Sequence, residues 1–225
     1  MKYFVLNFVQ KLRFVISYIF QKGFSEIQFI KNHIDNNSII VDVGSNVGSF
    51  IQLFIKSKLE PKIYSIEPDT FLVEKQKNKF KKFENIKYFN TAIDEKNGTA
   101  QFYIRKPSSH SSLSLYHPDN KFNQVVSTVN ISVETIKSFM EINNINFITL
   151  LKIDTEGLDY KILSSIKEIL KKNKIKYLKI EANSDSFEEI MNFAFVNNLK
   201  FIGSSNFFYY KNKLNMMDIY FENQN

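Results

Sequence analysis

The stretch Ile39-Ile40-Val41-Asp42-Val43-Gly44-Ser45-Asn46-Val47-Gly48 decides how the rest of the chain is read. An apolar run of this length that ends at an acid and then a glycine is the pattern of a buried parallel strand. From Asn46 to Ser57 the apolar residues Val47, Phe50, Ile51, Phe54 and Ile55 fall at helical spacing, so the strand turns directly into a helix. Glycine at 44 and 48 removes side chains where a ligand must approach the backbone, and the helix start offers N–H groups without helical partners. The spacing is neither G-x-G-x-x-G nor that of a lysine-containing phosphate loop, which favours a small adenosine ligand over a dinucleotide or a triphosphate.

Outward from this point, strands and helices alternate. Lys62 to Glu67 reads as a second strand, and Pro68-Asp69-Thr70 opens a helix to about Lys82 with the apolar residues Phe71, Leu72, Val73 and Phe80. Ile86 to Phe89 is a third strand, with Thr91-Ala92-Ile93-Asp94 leaving it. The alternation is then interrupted by an insertion near 95–130. It comprises a turn at Glu95-Lys96-Asn97-Gly98, a hairpin-like strand from Ala100 to Ile104 and a polar, serine-rich loop from Pro107 to Asn120. Strands are expected at Val125–Val133, Phe147–Ile153 and Ile175–Ile180, and helices at Glu134–Asn143, Leu158–Lys172 and Phe187–Asn197. Phe201-Ile202, Phe207–Tyr210 and Met217–Phe221 are terminal strands, the last two forming a hairpin across Lys211-Asn212-Lys213. The fold class is α/β: a Rossmann-like, mainly parallel sheet with a C-terminal antiparallel strand or hairpin and helices on both faces. Such a sheet binds ligands beyond the carboxyl ends of its strands.

Composition narrows the function. At 225 residues the chain accommodates one sizeable α/β domain, here residues 23–225, and the absence of cysteine excludes disulfides, thiolate metal sites and a cysteine nucleophile. The net charge of +7 comes almost wholly from scattered lysines, since Arg13 and Arg105 are the only arginines. Base readout and bidentate phosphate clamps favour arginine, so nucleic acid is not the expected partner. Residues 1–22 read as an amphipathic helix, because Asn7, Gln10, Lys11, Arg13 and Ser17 break the apolar run every few positions. That helix would dock on the domain, on a partner subunit in a homo-oligomer, or on a membrane surface. A cytoplasmic location follows, with peripheral contact at the inner membrane as the variant.

Glu67 stands about twenty residues beyond the glycines at the end of the second strand, where a carboxylate can accept both hydroxyls of a ribose. Its alternative is a charge favourable to the following helix N-terminus. Taken in order, the segments VDVGSNVG (41–48), YSIEPD (64–69), NTAIDEKNG (90–98), SSHSSLS (108–114), LLKIDTEGLDYKIL (150–163) and LKIEAN (178–183) resemble the FkbM family of S-adenosylmethionine-dependent methyltransferases. The resemblance runs from about residue 37 to 205, and the LLKIDTEG run is its most diagnostic piece. It implies that S-adenosylmethionine is the cofactor, with Asp42, Gly44, Asn46 and Gly48 framing its methionine part, Glu67 its ribose, and Ala92 and Asp94 near its adenine. Ser45 stands where alanine is usual in the family, a change expected to be harmless.

Methyl transfer from a sulfonium is an in-line displacement, and a hydroxyl acceptor needs a base or a metal. Lys152, Asp154, Glu156 and Glu181 lie at the ends of two strands that should be neighbours, and they form the candidate catalytic cluster. In one arrangement Asp154 or Glu156 takes the proton while Lys152 holds charge. In the other, Asp154, Glu156 and Glu181 hold a divalent cation such as magnesium or manganese, an arrangement the nearby lysine disfavours. The structural alternative is a Lys152–Glu156 ion pair bracing the loop. Ser111 and Ser112, by resemblance, and His110 are candidates for the substrate side. The expected reaction is O-methylation of a hydroxyl. The resemblance points to a sugar in a surface glycan or its precursor; the alternatives are a small natural product or lipid, or a catalytically silent partner module.

Overall fold

The computed structural model describes residues 24–105, 111–113, 124–210 and 213–225. The helix expected over 1–22, His110 and most of the serine-rich loop lie outside the described residues. In chain order the elements are α1 (Glu26–His33), β1 (Ile39–Val43), α2 (Ser49–Lys56), β2 (Lys62–Ile66), α3 (Thr70–Lys79), β3 (Ile86–Phe89), β4 (Ala92–Ile93), β5 (Gly98–Arg105) and β6 (Val125–Glu134). They continue with α4 (Ile136–Ile142), β7 (Ile148–Ile153), α5 (Asp159–Ser165), α6 (Lys167–Lys171), β8 (Ile175–Asn183), α7 (Phe187–Val196), β9 (Leu199–Tyr210) and β10 (Lys213–Asn223).

Among the described residues, the main sheet has seven strands in the order β3-β2-β1-β7-β8-β10-β9. The first five are parallel and the β10–β8 and β10–β9 pairs antiparallel, so the sheet matches the expected class. Between β1 and β7 the chain order reverses, which makes the carboxyl ends of these two strands the topological switch point where such sheets hold ligands. The insertion builds a second sheet, β4-β6-β5, in which β5 and β6 pair antiparallel from Gly98↔Val133 to Arg105↔Val125.

Alternation along each strand sends side chains to two separate cores. Val41 and Val43 of β1, Leu151 and Ile153 of β7 and Leu178 and Ile180 of β8 pack with α4, α5, α6 and α7. Ile40, Leu150 and Tyr177 point the other way, against Phe29 and Ile30 of α1 and Phe50, Ile51 and Phe54 of α2. One pleat beyond Ile40, Leu150 and Tyr177 the same face turns polar. Ser65, Asp42, Lys152, Lys179 and Tyr220 stand at successive register points across β2, β1, β7, β8 and β10, all buried.

Local structure departs from the sequence reading at α1 (Glu26–His33), which the sequence reading did not place, and in three places further on. The helix after β1, α2, begins at Ser49 rather than Asn46, because Asn46 (φ 51°) and Gly48 (φ 74°) are left-handed and cannot start a helix. The helix expected over Leu158–Lys172 is two short ones, with Ile166 between them outside helical geometry (ψ 7°). The strands expected at 201–202 and 207–210 are one continuous β9, bulged against β10 at three points. The buried Gly203 lies within it, against the ring of Phe24.

Candidate functional site

At the switch point an open cleft of about 730 Å³ is walled by the ends of β1, β2, β7 and β8, with Thr91–Ile93 on one side and Phe102, Ser111, Ser112 and Leu113 from the insertion closing another. The glycine loop forms one wall. Gly44 N–H and Ser45 N–H both donate to the carbonyl of Ile66 at 3.1 Å, tying the end of β1 to the end of β2. Gly44 is obligatory twice over: its φ is +72°, and a Cβ there would stand 1.7 Å from the carbonyl oxygen of Asp154. Gly48 does other work. A Cβ at 48 would meet the Phe80 ring at 2.4 Å, so this glycine lets the start of α2 pack on the ring, and it does not line the cleft.

Glu67 is buried at the floor. Its Oε2 accepts from Asn46 N–H at 2.8 Å and its Oε1 from Asp69 N–H at 2.9 Å. Burial pushes its carboxyl up to about 7, against the lowering by these two backbone donors. The left-handed turn at Asn46 is held from behind by Gln76 of α3, whose Nε2 donates to Asn46 O at 2.5 Å and Ser45 Oγ at 2.9 Å while its Oε1 accepts from Ser65 Oγ at 2.6 Å. Ser45 is therefore a member of a fully buried polar network under the loop, with a hydroxyl that alanine would not supply. Only the polar residue within the apolar stripe of α3 hinted at Gln76 in the sequence.

The charged cluster divides into two layers. Lys152 and Asp42 are beneath the cleft, not in it: Lys152 Nζ lies 3.1 Å from Asp42 Oδ1, 3.1 Å from Asp154 Oδ2 and 3.1 Å from Gly44 O. Burial opposes the lysine's charge, yet Asp154 and Asp42 hold its pKa above the ordinary value. Its ion pairs run to Asp42 and Asp154 rather than the Glu156 partner considered from sequence, and it fastens the glycine loop to the end of β7. Asp42, expected to frame a cofactor, is fully buried and acts through Lys152.

In the upper layer Asp154, Glu156 and Glu181 all line the cleft. Burial first, then the charges of Asp154 and Asp159, pushes Glu156 up to about 8, with Lys152 and Arg105 pulling the other way. Glu181 is raised well above the usual carboxylate range, by burial and then by Asp154, Asp159 and Glu156. Among the described residues, no three histidine, aspartate or glutamate side chains are grouped as metal ligands.

Of the remaining candidates, Asn46, Ala92, Ser111 and Ser112 line the cleft. Asp94 does not. Its carboxylate is paired with Lys161 of α5 at 2.8 Å, which pins the second sheet to α5. Ser111 accepts from Arg105 N–H at 3.0 Å, and Ser112 pairs with Tyr103 through both backbone groups, so the serine pair is fixed on β5.

Residues 42–202 match the family model of the methyltransferase FkbM domain. The chain belongs to the FkbM methyltransferase family. It is 23% identical over 157 residues to the 2-O-methyltransferase NoeI of Sinorhizobium fredii, a match covering 62% of this chain and 61% of that protein. Among solved structures it resembles an FkbM methyltransferase from Methylobacillus flagellatus, with a TM-score of 0.55 and 18% identity over 84% of this chain and 44% of that one. It also resembles TrmK of M. capricolum, solved in complex with S-adenosyl-homocysteine, with a TM-score of 0.50 and 17% identity over 91% and 70% of the two chains. These structural likenesses show a shared fold. The chain thus spans about 61% of the curated relative and 44% of the FkbM structure. The FkbM cleft also contains residues to which the sequence reading gave no role: Phe102, Thr155 and Leu158 line it, as does Thr91, which the resemblance places with Ala92 and Asp94 near the adenine.

Proposed function

We propose that this chain is an S-adenosylmethionine-dependent O-methyltransferase acting on a hydroxyl, of a sugar in a surface glycan or its precursor. The observation that carries the reading is the pairing of a buried Glu67 with a proton-accepting Glu156 in one cleft at the switch point. Each Glu67 oxygen is held by one backbone N–H, and a carboxylate has about four acceptor sites, so acceptor capacity remains for the two hydroxyls of a ribose. The apolar walls at Leu72, Ile93 and Phe102 suit a nucleobase, and Gly44 admits a ligand close to the backbone. S-adenosylmethionine, when bound, supplies an electrophilic methyl on a sulfonium.

The chain's own groups do the rest. Asp154 and Glu156 both line the cleft; Lys152 pairs with Asp154, and burial pushes the Glu156 carboxyl up to about 8, matched to accepting a hydroxyl proton near neutral pH. Glu156 is therefore the proposed base, and Asp154 with Lys152 holds its loop. The acceptor class draws its support from the 2-O-methyltransferase relative and the family.

The test is calorimetric titration of S-adenosylmethionine, and separately NAD, into wild type and Glu67→Ala. Wild type is expected to bind the former alone, with at least tenfold weaker affinity in the variant, about 1.4 kcal/mol. Failure of folded wild type to bind it would overturn the reading. Transfer of labelled methyl from the bound cofactor to purified glycans then tests the acceptor.

A further inference from the structure

The loop Asp154-Thr155-Glu156-Gly157 forms part of the cleft wall and leaves regular geometry twice in succession, with φ 55° at Glu156 and 115° at Gly157. Glutamate avoids the left-handed region, so such a turn persists only where its surroundings hold it. The holder is Asp159, the first residue of α5, which is 4% exposed and does not line the cleft. Its Oδ1 accepts from Thr155 N–H at 2.7 Å and from the Thr155 hydroxyl at 3.1 Å, and its Oδ2 accepts from Gly157 N–H at 3.2 Å. One carboxylate thus grips both neighbours of Glu156.

This is not helix capping. A capping side chain accepts from the N–H groups that follow it inside its own helix. All three donors to Asp159 come before it, in the loop. Its location is also a costly one for a carboxylate, because it is buried and faces the charge of Asp154. A side chain kept there despite that repulsion serves the shape of the loop.

We infer that Asp159 is the positioning residue of this loop, fixing Thr155 and Glu156 in the cleft wall without touching the ligand. The inference rests on the reading of the cleft as a cofactor and acceptor site. It is tested on the full chain with Asp159→Ala and Asp159→Asn. Asparagine keeps the oxygen that serves Thr155 and loses an acceptor for Gly157.

Two readouts separate the roles: amide hydrogen exchange at 155–157, and calorimetric affinity for S-adenosylmethionine, each set against melting temperature. Asp159→Ala is expected to speed exchange at Thr155 and Gly157 at least tenfold and weaken affinity about tenfold. Asp159→Asn is expected to regain protection at Thr155 and most of the affinity. Wild-type exchange and affinity in Asp159→Ala would overturn the inference. So would affinity lost equally in both variants and only in step with melting temperature. Accelerated exchange in a protein whose wild type binds no S-adenosylmethionine would leave the loop-holding role standing and remove the cofactor reading. Unchanged exchange in a wild type that binds would do the reverse.

Discussion

Glu156 shows how much a single side chain depends on its position in a loop. A glutamate of ordinary pKa would be ionised and weakly basic at neutral pH; burial beside Asp154 and Asp159 raises this one to about 8. A base must be unprotonated to accept the hydroxyl proton, so the rate of methyl transfer should climb as pH rises from 6.5 and level off above about 8. Glu156→Gln should remove that rise and lower the turnover at pH 8 by about 10²–10⁴-fold while leaving cofactor affinity within a few-fold. A variant that kept both the rate and its pH profile would assign the base elsewhere. The sequence identified Glu156 as a candidate but did not distinguish it from Asp154. The distinction lies in Lys152, whose ammonium is committed to Asp154.

At the scale of the elements, the site is built by contacts between strand ends. β1 and β7 place Asp42 and Lys152 opposite each other, and Lys152 then reaches Asp154 and Gly44 O above them. Removing one partner of a buried ion pair leaves the other charge uncompensated, typically at about 3–5 kcal/mol. Lys152→Met should therefore cost about that much stability in urea denaturation, and adding Asp42→Asn should recover more than half of it. A single variant as stable as wild type would mean that the pair does not brace the two loops. Sequence periodicity located both strands and their polar ends. It did not show that Lys152 faces down the sheet's polar row while Asp154, two residues on, reaches the cleft. The register of β1 against β7 decides that.

Across the whole molecule the cleft concentrates acids that are harder to ionise when folded. Glu67 at about 7, Glu156 at about 8 and Glu181, raised well above its usual range, hold protons that the unfolded chain has released above pH 4.5. The folded state then binds more protons than the unfolded one, so unfolding free energy falls as pH rises from 6.5 to 8.5. His33 is depressed by burial, so its opposite contribution persists through the unfolded imidazole's 6.5 and fades in the lower part of this window, one group against three carboxyls. The ligand-free protein should melt at a lower temperature at pH 8.5 than at pH 6.5. Glu156→Gln should narrow the difference, as differential scanning calorimetry would show. A melting temperature that rose over this range would contradict the crowding of the cluster. One strand over from Lys152 in the same polar row, Lys179 is paired with Glu26 of α1 at 2.7 Å and Asp218 of β10 at 2.9 Å, which joins the first described helix to the last strand.

The α/β class, the strand-to-helix turn at Gly44, the cluster at Asp154, Glu156 and Glu181, and the family with its ordered motifs are all legible in the linear order of residues. These are local properties: apolar period fixes which segments are strands, and a chain break at an acid and glycine marks where a strand ends. Which polar residues reach the cleft is settled by long-range packing. Glu67, Asn46 and Glu156 do, whereas Asp42 and Lys152 are buried beneath it, Gly48 serves packing, and Asp94 is spent on Lys161. The reason is that a side chain's destination depends on pleat, register and the partner it meets from a distant segment. Asp42 and Lys152 are separated by the whole insertion and three helices, yet lie on adjacent strands, and no local pattern encodes that meeting.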